Sequence, residues 1–355
     1  MSALSSILAK LDATGRIDRR EARTLYAEAP LLTIGRLANR IRHRRHPVPV
    51  VTYVVDRNIN YTNICISGCR FCAFYRPPGH PEAYRITEAD LARKIQETLD
   101  LGGTQILLQG GIDPDMGLAD FVALLRFIKT FDIHVHGFSP PEIYYLAQKE
   151  NMAIGAVLNR LKTAGLDSIP GGGAEILVDR VRRRVSPGKC TAGQWLDVMR
   201  TAHGLGLRTT ATMMFGHVEN IDDRIDHLLK IRALQDDTGG FTAFIPWTFQ
   251  PGNTRIDVPP VTSAEYLRML ALSRIVLDNI PNIQASWVTQ GAKIAQVALT
   301  FGANDLGSTM IEENVVAAAG IHFKLPESEM IRLIEDAGLT ARQRDCFYSP
   351  VDSPP

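Results

Sequence analysis

Short apolar runs alternate with amphipathic segments along most of this chain, and this alternation restricts the fold more than any other feature. The runs cover residues 50–55, 104–109, 132–138, 166–169, 207–215, 241–247, 283–287 and 305–311. Between them lie helix start signals, with Thr87, Ser139 and Thr262 at N-cap positions. Strands separated by capped helices predict an α/β fold in which parallel strands close into a (β/α) barrel of TIM type. An open doubly wound sheet fits less well, because no glycine-rich dinucleotide fingerprint follows the first run.

The two ends of the chain differ from this middle part. Residues 4–11 show helical spacing of leucine and isoleucine, and Asp18 with Glu21 resembles a capping box. A proline-rich tail after Ser349 is predicted to be loose. We therefore predict an N-terminal helical extension over residues 1–48, a β/α barrel over 49–320, and a C-terminal helix and tail over 321–355.

Three cysteines stand close together after the first run: Cys65, Cys69 and Cys72, with the spacing C-x-x-x-C-x-x-C. Thiolates select iron–sulfur clusters or zinc, and three of them can hold three irons of a [4Fe–4S] cluster while the fourth iron stays open. A structural zinc site usually has four ligands, commonly in two separated pairs. A disulfide framework is disfavoured by the odd total of five cysteines. Cys190 and Cys346 are isolated, and no role is assigned to them.

The net charge and the distribution of apolar residues restrict the kinds of partner that this chain can bind. The net charge of +1 gives no electrostatic case for binding nucleic acid or an acidic membrane. No apolar run approaches the length of a membrane span, and the first thirty residues lack the apolar core of a signal peptide. These features predict a soluble cytoplasmic protein without nucleic-acid or membrane partners.

Polar residues and glycines gather where the predicted strands end, which is where a β/α barrel places its chemistry. In chain order they are Asn58, Asn60 and Asn63; Gly110 and Gly111; Gly171 to Gly173 with Glu175; Gly216, His217 and Glu219; Gln250 to Asn253; and Gln290. This placement predicts one shared pocket above the barrel.

Individual groups in this pocket have a functional and a structural interpretation. Glu175, beside three glycines, can accept hydrogen bonds from two ribose hydroxyls, or can be a solvated acid on a flexible loop. His217 can act as a base oriented by Glu219, or can be a structural histidine. The pair Gly110 and Gly111 lets backbone approach a ligand, or forms a simple turn.

Two further sets of side chains are candidates for substrate contact. His134 and His136 share one strand face, but lack a third partner as metal ligands. Trp247 and Phe249, near the end of a strand, can wall an aromatic substrate and exclude water.

The cysteine motif and the blocks around it resemble the radical S-adenosylmethionine (SAM) enzymes of menaquinone biosynthesis, nearly end to end. The blocks are residues 56–63, 108–111, 139–142, 167–176 and 213–219. Segment 245–254, with Trp247 and Gln-Pro-Gly-Asn, resembles the cyclase group of this family more than aminofutalosine synthase, its closest sister. The deazaflavin-cofactor synthase subunits are more distant.

This resemblance implies a cofactor site. Cys65, Cys69 and Cys72 would hold a [4Fe–4S] cluster, and SAM would occupy its open iron. Phe71 would lie beside the adenine, Gly110 and Gly111 at the methionyl group, and Glu175 at the ribose. The family often has Gly-Gly-Glu where this chain has Gly-Gly-Ile-Asp, so no acidic contact is carried over there.

The resemblance also implies a reaction and partners. A 5′-deoxyadenosyl radical would take the C4′ hydrogen of dehypoxanthine futalosine, and the C4′ radical would add to the benzoate ring. His217 would be the base for the final proton, with Glu219 orienting it. An electron donor such as flavodoxin or ferredoxin is implied. A cation for the substrate carboxylate is expected from among Arg57, Arg76, Arg85 and Arg255.

Three alternatives stay open. Aminofutalosine synthase would consume the adenosyl radical by addition to an enolpyruvyl carbon. A deazaflavin-cofactor synthase subunit shares the triple-glycine and Gly-His-x-Glu blocks. A structural or electron-transfer protein with an iron–sulfur or zinc site would need full ligation of its metal, whereas only three closely spaced cysteines are present.

Overall fold

Parallel strands alternate with helices from residue 50 onward in the computed structural model, which describes residues 2–351. The strands are β1 (Val50–Val54), β2 (Asp56–Asn60), β3 (Gln105–Gln109), β4 (His134–Gly137), β5 (Ser168–Ile169), β6 (Arg208–Phe215), β7 (Phe241–Thr248), β8 (Asn282–Ile283), β9 (Asp305–Ser308) and β10 (Thr340–Gln343). The helices are α1 (Ala3–Asp12), α2 (Arg19–Glu28), α3 (Leu31–Arg45), α4 (Glu88–Asp100), α5 (Leu118–Ile128), α6 (Pro140–Lys149), α7 (Ile154–Ala164), α8 (Asp179–Val185), α9 (Ala192–Gly204), α10 (Ile221–Thr238), α11 (Ser263–Val276), α12 (Trp287–Gln290), α13 (Ala292–Ala298) and α14 (Glu327–Asp336).

Strands β2 to β8 form one parallel sheet in sequence order, and β10, β1 and β9 form a second parallel sheet. The two sheets meet at β9, because Gln284 bridges Asp305 and the N–H of Ile311 bonds to the carbonyl of Asp56. The predicted α/β fold of barrel type is confirmed. Its main sheet is a curled half-barrel of seven strands, and β9 closes the gap between β8 and the β1–β2 segment.

The first predicted strand, over residues 50–55, corresponds to β1, and a second strand that was not predicted, β2, follows it directly. β1 belongs to the smaller sheet, and β2 enters the main sheet immediately after Val55. Asn58 and Asn60 therefore follow the first strand, as predicted, but they lie within a second strand that was not predicted. All five residues of β2 are buried, and the buried charge of Arg57 is balanced by Glu97 at 2.8 Å. A polar strand of this kind leaves no apolar signal in the sequence.

Most of the predicted helix starts are present. Thr87 and Thr262 accept N-cap hydrogen bonds at the starts of α4 and α11. Asp18 and Glu21 form the predicted capping box, with both reciprocal bonds at 2.8 Å. Ser139 differs, because its hydroxyl bonds to the side chain of Glu142 and caps no backbone N–H.

The chain termini are attached to the barrel in different ways. The first three helices lie outside the barrel, where α3 packs against α11 and α2 against α10. At the other end β10 pairs with β1, and Pro350 bridges Arg344, so the tail is anchored as far as Val351. The rest of the predicted loose tail, residues 352–355, lies outside the described residues. The domain boundaries stay a prediction. Within residues 2–351, no helix has both the length and the hydropathy to cross a bilayer.

Candidate active site

The loop after β2 carries Cys65, Cys69 and Cys72 at the carboxyl edge of the main sheet. The three thiols are free, with Cys69 buried and the other two partly exposed. Burial raises the pKa of the Cys69 thiol to about 12, although the positive charge of Lys189 acts in the opposite direction. Burial also raises the pKa of Cys72, and hydrogen bonds from the backbone of Tyr75 and Phe74 oppose this. Such N–H groups stabilise a metal-bound thiolate.

The arrangement of the three sulfur atoms fits a cluster better than a single zinc ion. Thiolates on a tetrahedral zinc stand roughly 3.8 Å apart, given Zn–S bonds of about 2.3 Å. Across residues 2–351, the group of three side chains whose metal-binding atoms all lie within 4.8 Å of one another is His134, His136 and Cys346, and not the cysteine loop. At least one pair of the three sulfur atoms is therefore more than 4.8 Å apart, which is wider than a single zinc ion requires.

Gly110 and Gly111 let the end of β3 lie directly beneath the cysteine loop. A Cβ on Gly111 would stand 2.0 Å from the carbonyl oxygen of Ile64 and 2.8 Å from the Cβ of Cys65. A Cβ on Gly110 would stand 2.4 Å from the ring of Tyr61. Both glycines thus have a packing role, while their contact with the methionyl group of SAM stays a prediction.

Glu175 is held by two cations, the buried Arg182 and the half-buried Lys189. Its carboxylate accepts a hydrogen bond from Lys189 Nζ at 2.9 Å and lies 3.5 Å from Arg182 Nη1. Its backbone has φ of +40°, which is unusual outside glycine. Lys189 also lies 5.0 Å from the ring centre of Phe71, and although burial opposes it, the charges of Cys69 and Glu175 raise the pKa of Lys189.

Lys189 therefore joins the predicted ribose ligand, the predicted adenine neighbour and the cysteine loop, and the sequence analysis missed it. It follows α8, away from any strand end, so the strand-end pattern did not identify it. A Cβ on the preceding Gly188 would stand 2.7 Å from the carbonyl oxygen of Ser67, which shows how tightly this segment packs against the cysteine loop.

A cavity of about 280 Å³ lies inside the barrel and runs from Glu175 to the C-terminal segment. Its volume suits a small molecule and excludes a macromolecule. Of the predicted aromatic wall, Trp247 lines the cavity, whereas Phe249 is buried in a separate apolar cluster. Other lining side chains are Asp56, Asn58, Gln105, Gln109, His136, Thr210, Thr212, Gln284, Trp287, Glu313, Arg344 and Tyr348.

His217 and Glu219 contact each other, as predicted, but they lie outside the cavity lining. The ring of His217 has no solvent exposure; its Nδ1 lies 2.9 Å from Glu219 Oε2, and its Nε2 lies 3.2 Å from the carbonyl oxygen of Met214. Glu219 also accepts hydrogen bonds from the backbone of Gly216 and from Arg224. Although burial opposes it, these partners lower the pKa of Glu219. The position of His217 supports a role in holding the loop after β6 and does not support the predicted role as a base.

Beneath the cavity, three side chains meet around the hydroxyl of Ser168. Its oxygen lies 2.7 Å from His134 Nε2, 2.7 Å from His136 Nδ1 and 3.3 Å from the sulfur of Cys346. Cys346, which received no role, is thus the third neighbour that the two histidines lacked. Burial, with smaller effects of His134 and Arg344, lowers the pKa of His136 to about 3, so its ring is neutral. The three groups already have a hydrogen-bonding partner and form the polar floor of the cavity.

None of the four predicted arginines lines this cavity. Arg57 pairs with Glu97, Arg76 with Glu82, Arg85 with Asp113 and Asp115, and Arg255 bonds to the carbonyls of Gly68 and Cys69.

The arginine that lines the cavity is Arg344. It binds Asp305 with two hydrogen bonds of 2.6 and 3.0 Å and lies 3.9 Å from the ring centre of Tyr348. The sequence analysis missed Arg344 because it took the last segment for a helix and tail.

A three-cysteine loop at the carboxyl edge of a curled parallel sheet, beside a cavity inside the barrel, defines a radical SAM protein. The family description "Radical SAM superfamily" matches residues 59–231, and "CofH/MqnC C-terminal region" matches residues 238–355. A cyclic dehypoxanthine futalosine synthase of Halalkalibacterium halodurans is 46% identical, over 94% of this chain and 91% of the relative. One of Streptomyces coelicolor is 42% identical, over 97% and 88%. The chain therefore belongs to the radical SAM superfamily, in the family that contains these synthases.

Two other comparisons mark the breadth of this family. A 5-amino-6-(D-ribitylamino)uracil–L-tyrosine 4-hydroxyphenyl transferase of Methanopyrus kandleri is 45% identical, over 85% of this chain and 84% of the relative. The solved structure of the FeFe-hydrogenase maturase HydG from Carboxydothermus hydrogenoformans superposes with a TM-score of 0.76. That superposition covers 97% of this chain and 80% of the other at 16% identity, so it shows the shared fold alone.

Proposed function

We propose that this chain is a cyclic dehypoxanthine futalosine synthase, which closes a ring in dehypoxanthine futalosine on the futalosine route to menaquinone. The observation that carries the proposal is the 46% identity to such a synthase over 94% of the chain. The two matching family descriptions together span the cysteine loop and the C-terminal segment that lines the cavity. Trp247 in the cavity wall agrees with the cyclase group.

The residues at the carboxyl edge fit the two cofactors of the class. Cys65, Cys69 and Cys72 would hold a [4Fe–4S] cluster with one iron left for SAM. When bound, the cluster would supply the electron that cleaves SAM, and the carbon radical so released would take a hydrogen atom from the substrate. Glu175 would bind the ribose hydroxyls of SAM, and Lys189 fixes the orientation of this carboxylate.

The cavity residues would position the substrate and keep water away from it. Trp247 and Trp287 line the cavity and offer flat apolar faces to the benzoate ring. A guanidinium has five N–H donors. In Arg344 two of them bind Asp305 and one binds the carbonyl of Asp345. The remaining two can bind the substrate carboxylate, so we assign this carboxylate to Arg344.

We propose that Glu313, and not His217, is the base that accepts the final proton. Glu313 lines the cavity, and burial raises its pKa towards the range of a general base. Its carboxylate accepts hydrogen bonds of 2.8–3.0 Å from the backbone N–H groups of Val315, Val316 and Ala317, which hold it in place. His217 and Glu219 would act as positioning residues for the loop after β6.

The proposal is tested by anaerobic incubation of the reconstituted protein with SAM, dithionite and dehypoxanthine futalosine, followed by mass spectrometry. We expect a product two hydrogens lighter than the substrate and an equal amount of 5′-deoxyadenosine. SAM cleavage with unchanged substrate would refute the cyclase assignment.

A second candidate is the 4-hydroxyphenyl transferase reaction, which the 45% identity to the Methanopyrus kandleri relative favours. It is tested in parallel with L-tyrosine and 5-amino-6-(D-ribitylamino)uracil as substrates. Aminofutalosine synthase would instead incorporate the deoxyadenosyl group into its product.

The proposal also includes an electron donor such as flavodoxin or ferredoxin. It includes a cytoplasmic location as well, because reducing conditions there protect a cluster.

A further inference from the structure

Five arginines lie on the cysteine loop or on segments bonded to it, and we call this set the basic patch: Arg70, Arg76, Arg183, Arg184 and Arg255. All but Arg76 are exposed. Within residues 2–351, the only ion pair of these five joins Arg76 to Glu82 at 2.7 Å. Four unpaired arginines in one area stand out in a chain whose net charge is +1.

Three distant segments bring these arginines to the loop. The backbone N–H of Arg70 bonds to the carbonyl of Val185, the residue directly after Arg184, at 2.8 Å. The N–H of Arg255 bonds to the carbonyl of Arg70, also at 2.8 Å. Arg255 Nη2 lies 3.3 Å from the carbonyl oxygen of Cys69. The positive charge is therefore located at the cysteine loop itself.

The same surface gives access to the proposed cluster. A groove lined by Cys72, Tyr75, Arg76, His80 and Arg255 opens to solvent here. On the same loop Ile66 is 47% exposed, although it is apolar. An exposed apolar side chain on a loop that also carries charge is a suitable contact for a transient complex, because such interfaces are small and charge governs their encounter rate.

We propose that the basic patch is the docking surface for an acidic one-electron carrier protein that reduces the cluster. In this step the carrier loses one electron and the cluster gains it; no covalent bond forms or breaks, and no proton is transferred. Unpaired arginines repel each other, and a partner with carboxylates around its redox centre removes this repulsion. The inference rests on the proposed function, since it needs a cluster at Cys65, Cys69 and Cys72.

The test uses the reconstituted protein and an acidic flavodoxin as the probe. The variant R70E/R184E reverses two charges of the patch, and R183E/R184E reverses two that lie on α8, outside the cysteine loop. The matched control is Arg36→Glu, an exposed and unpaired arginine on α3. The Kd for flavodoxin is measured by fluorescence anisotropy at low and moderate salt. The reduction rate is followed by bleaching of the cluster, with flavodoxin hydroquinone or with dithionite.

We expect the Kd of the parent to rise with salt, because charge steers the encounter. Both double variants should raise the Kd by about tenfold, flatten its salt dependence and slow reduction by flavodoxin. Reduction by dithionite should match that of the parent. The inference is overturned if the double variants bind flavodoxin as R36E does. Failure of the proposed function is a separate result, in which dithionite reduces the cluster of the parent but dehypoxanthine futalosine stays unchanged.

Discussion

Replacing Gly111 by alanine gives a sharp test of how the cysteine loop is built. The added Cβ would lie 2.0 Å from the carbonyl oxygen of Ile64, whereas ordinary contacts begin near 3.4 Å. The difference between these distances, about 1.4 Å, is the shift that the loop or the end of β3 must make. Gly111 N–H bonds to the carbonyl of Thr62, and the loop's Ile66 N–H bonds to that of Ile112, so a shift strains both bonds.

We therefore expect Gly111→Ala to lower the free energy of unfolding by about 2–3 kcal/mol, the upper part of the range for overpacking. Because the displaced backbone carries Cys65, iron and sulfide per chain should also fall well below the parent values. The assays are urea denaturation of the metal-free protein and iron–sulfide analysis after reconstitution.

Gly193→Ala serves as the control, since its nearest neighbour is 3.9 Å away in the first turn of α9. This variant should be stabilised by about 0.5 kcal/mol. Parent-like stability and a full cluster in Gly111→Ala would refute the argument that this close packing builds the loop.

Three further predictions follow from buried charges. Lys189→Met should lower the free energy of unfolding by about 3 kcal/mol in urea denaturation, because Glu175 loses its closer cation, and an unchanged midpoint would contradict this. Burial raises the pKa of Glu142 from 4.5 to about 7. The stability that the proton on Glu142 confers is full below pH 4.5 and is lost as the pH rises through 7. In urea denaturation, Glu142→Gln should therefore be more stable than the parent at pH 8, but not at pH 4. At saturating substrate, Glu313→Gln should lower kcat by about a hundredfold and His217→Gln by less than about threefold, and the reverse order would restore His217 as the base.

The barrel and the cysteine loop were predictable because their signals are local. Alternating apolar runs mark buried parallel strands, and the spacing of Cys65, Cys69 and Cys72 within eight residues restricts their ligand chemistry without reference to the rest of the chain. The same local reasoning failed for β2, whose polar residues are buried only because partners from other segments accept them.

The cavity residues were harder to predict because their roles depend on tertiary contacts. Lys189 contributes to the site by its hydrogen bond to Glu175, and Arg344 by its hydrogen bond to Asp305. In each pair the two residues come from segments that carry no shared motif. His217 is the opposite case. Its motif is suggestive, but the fold turns the ring towards Glu219 and the carbonyl of Met214 and away from the cavity.

The pairing of β10 with β1 restricts the order in which the barrel can fold during synthesis. Val50 of β1 lies beside Thr340 of β10, and the cavity wall includes Tyr348. Residues 340–348 must therefore have left the ribosome before the barrel acquires its floor.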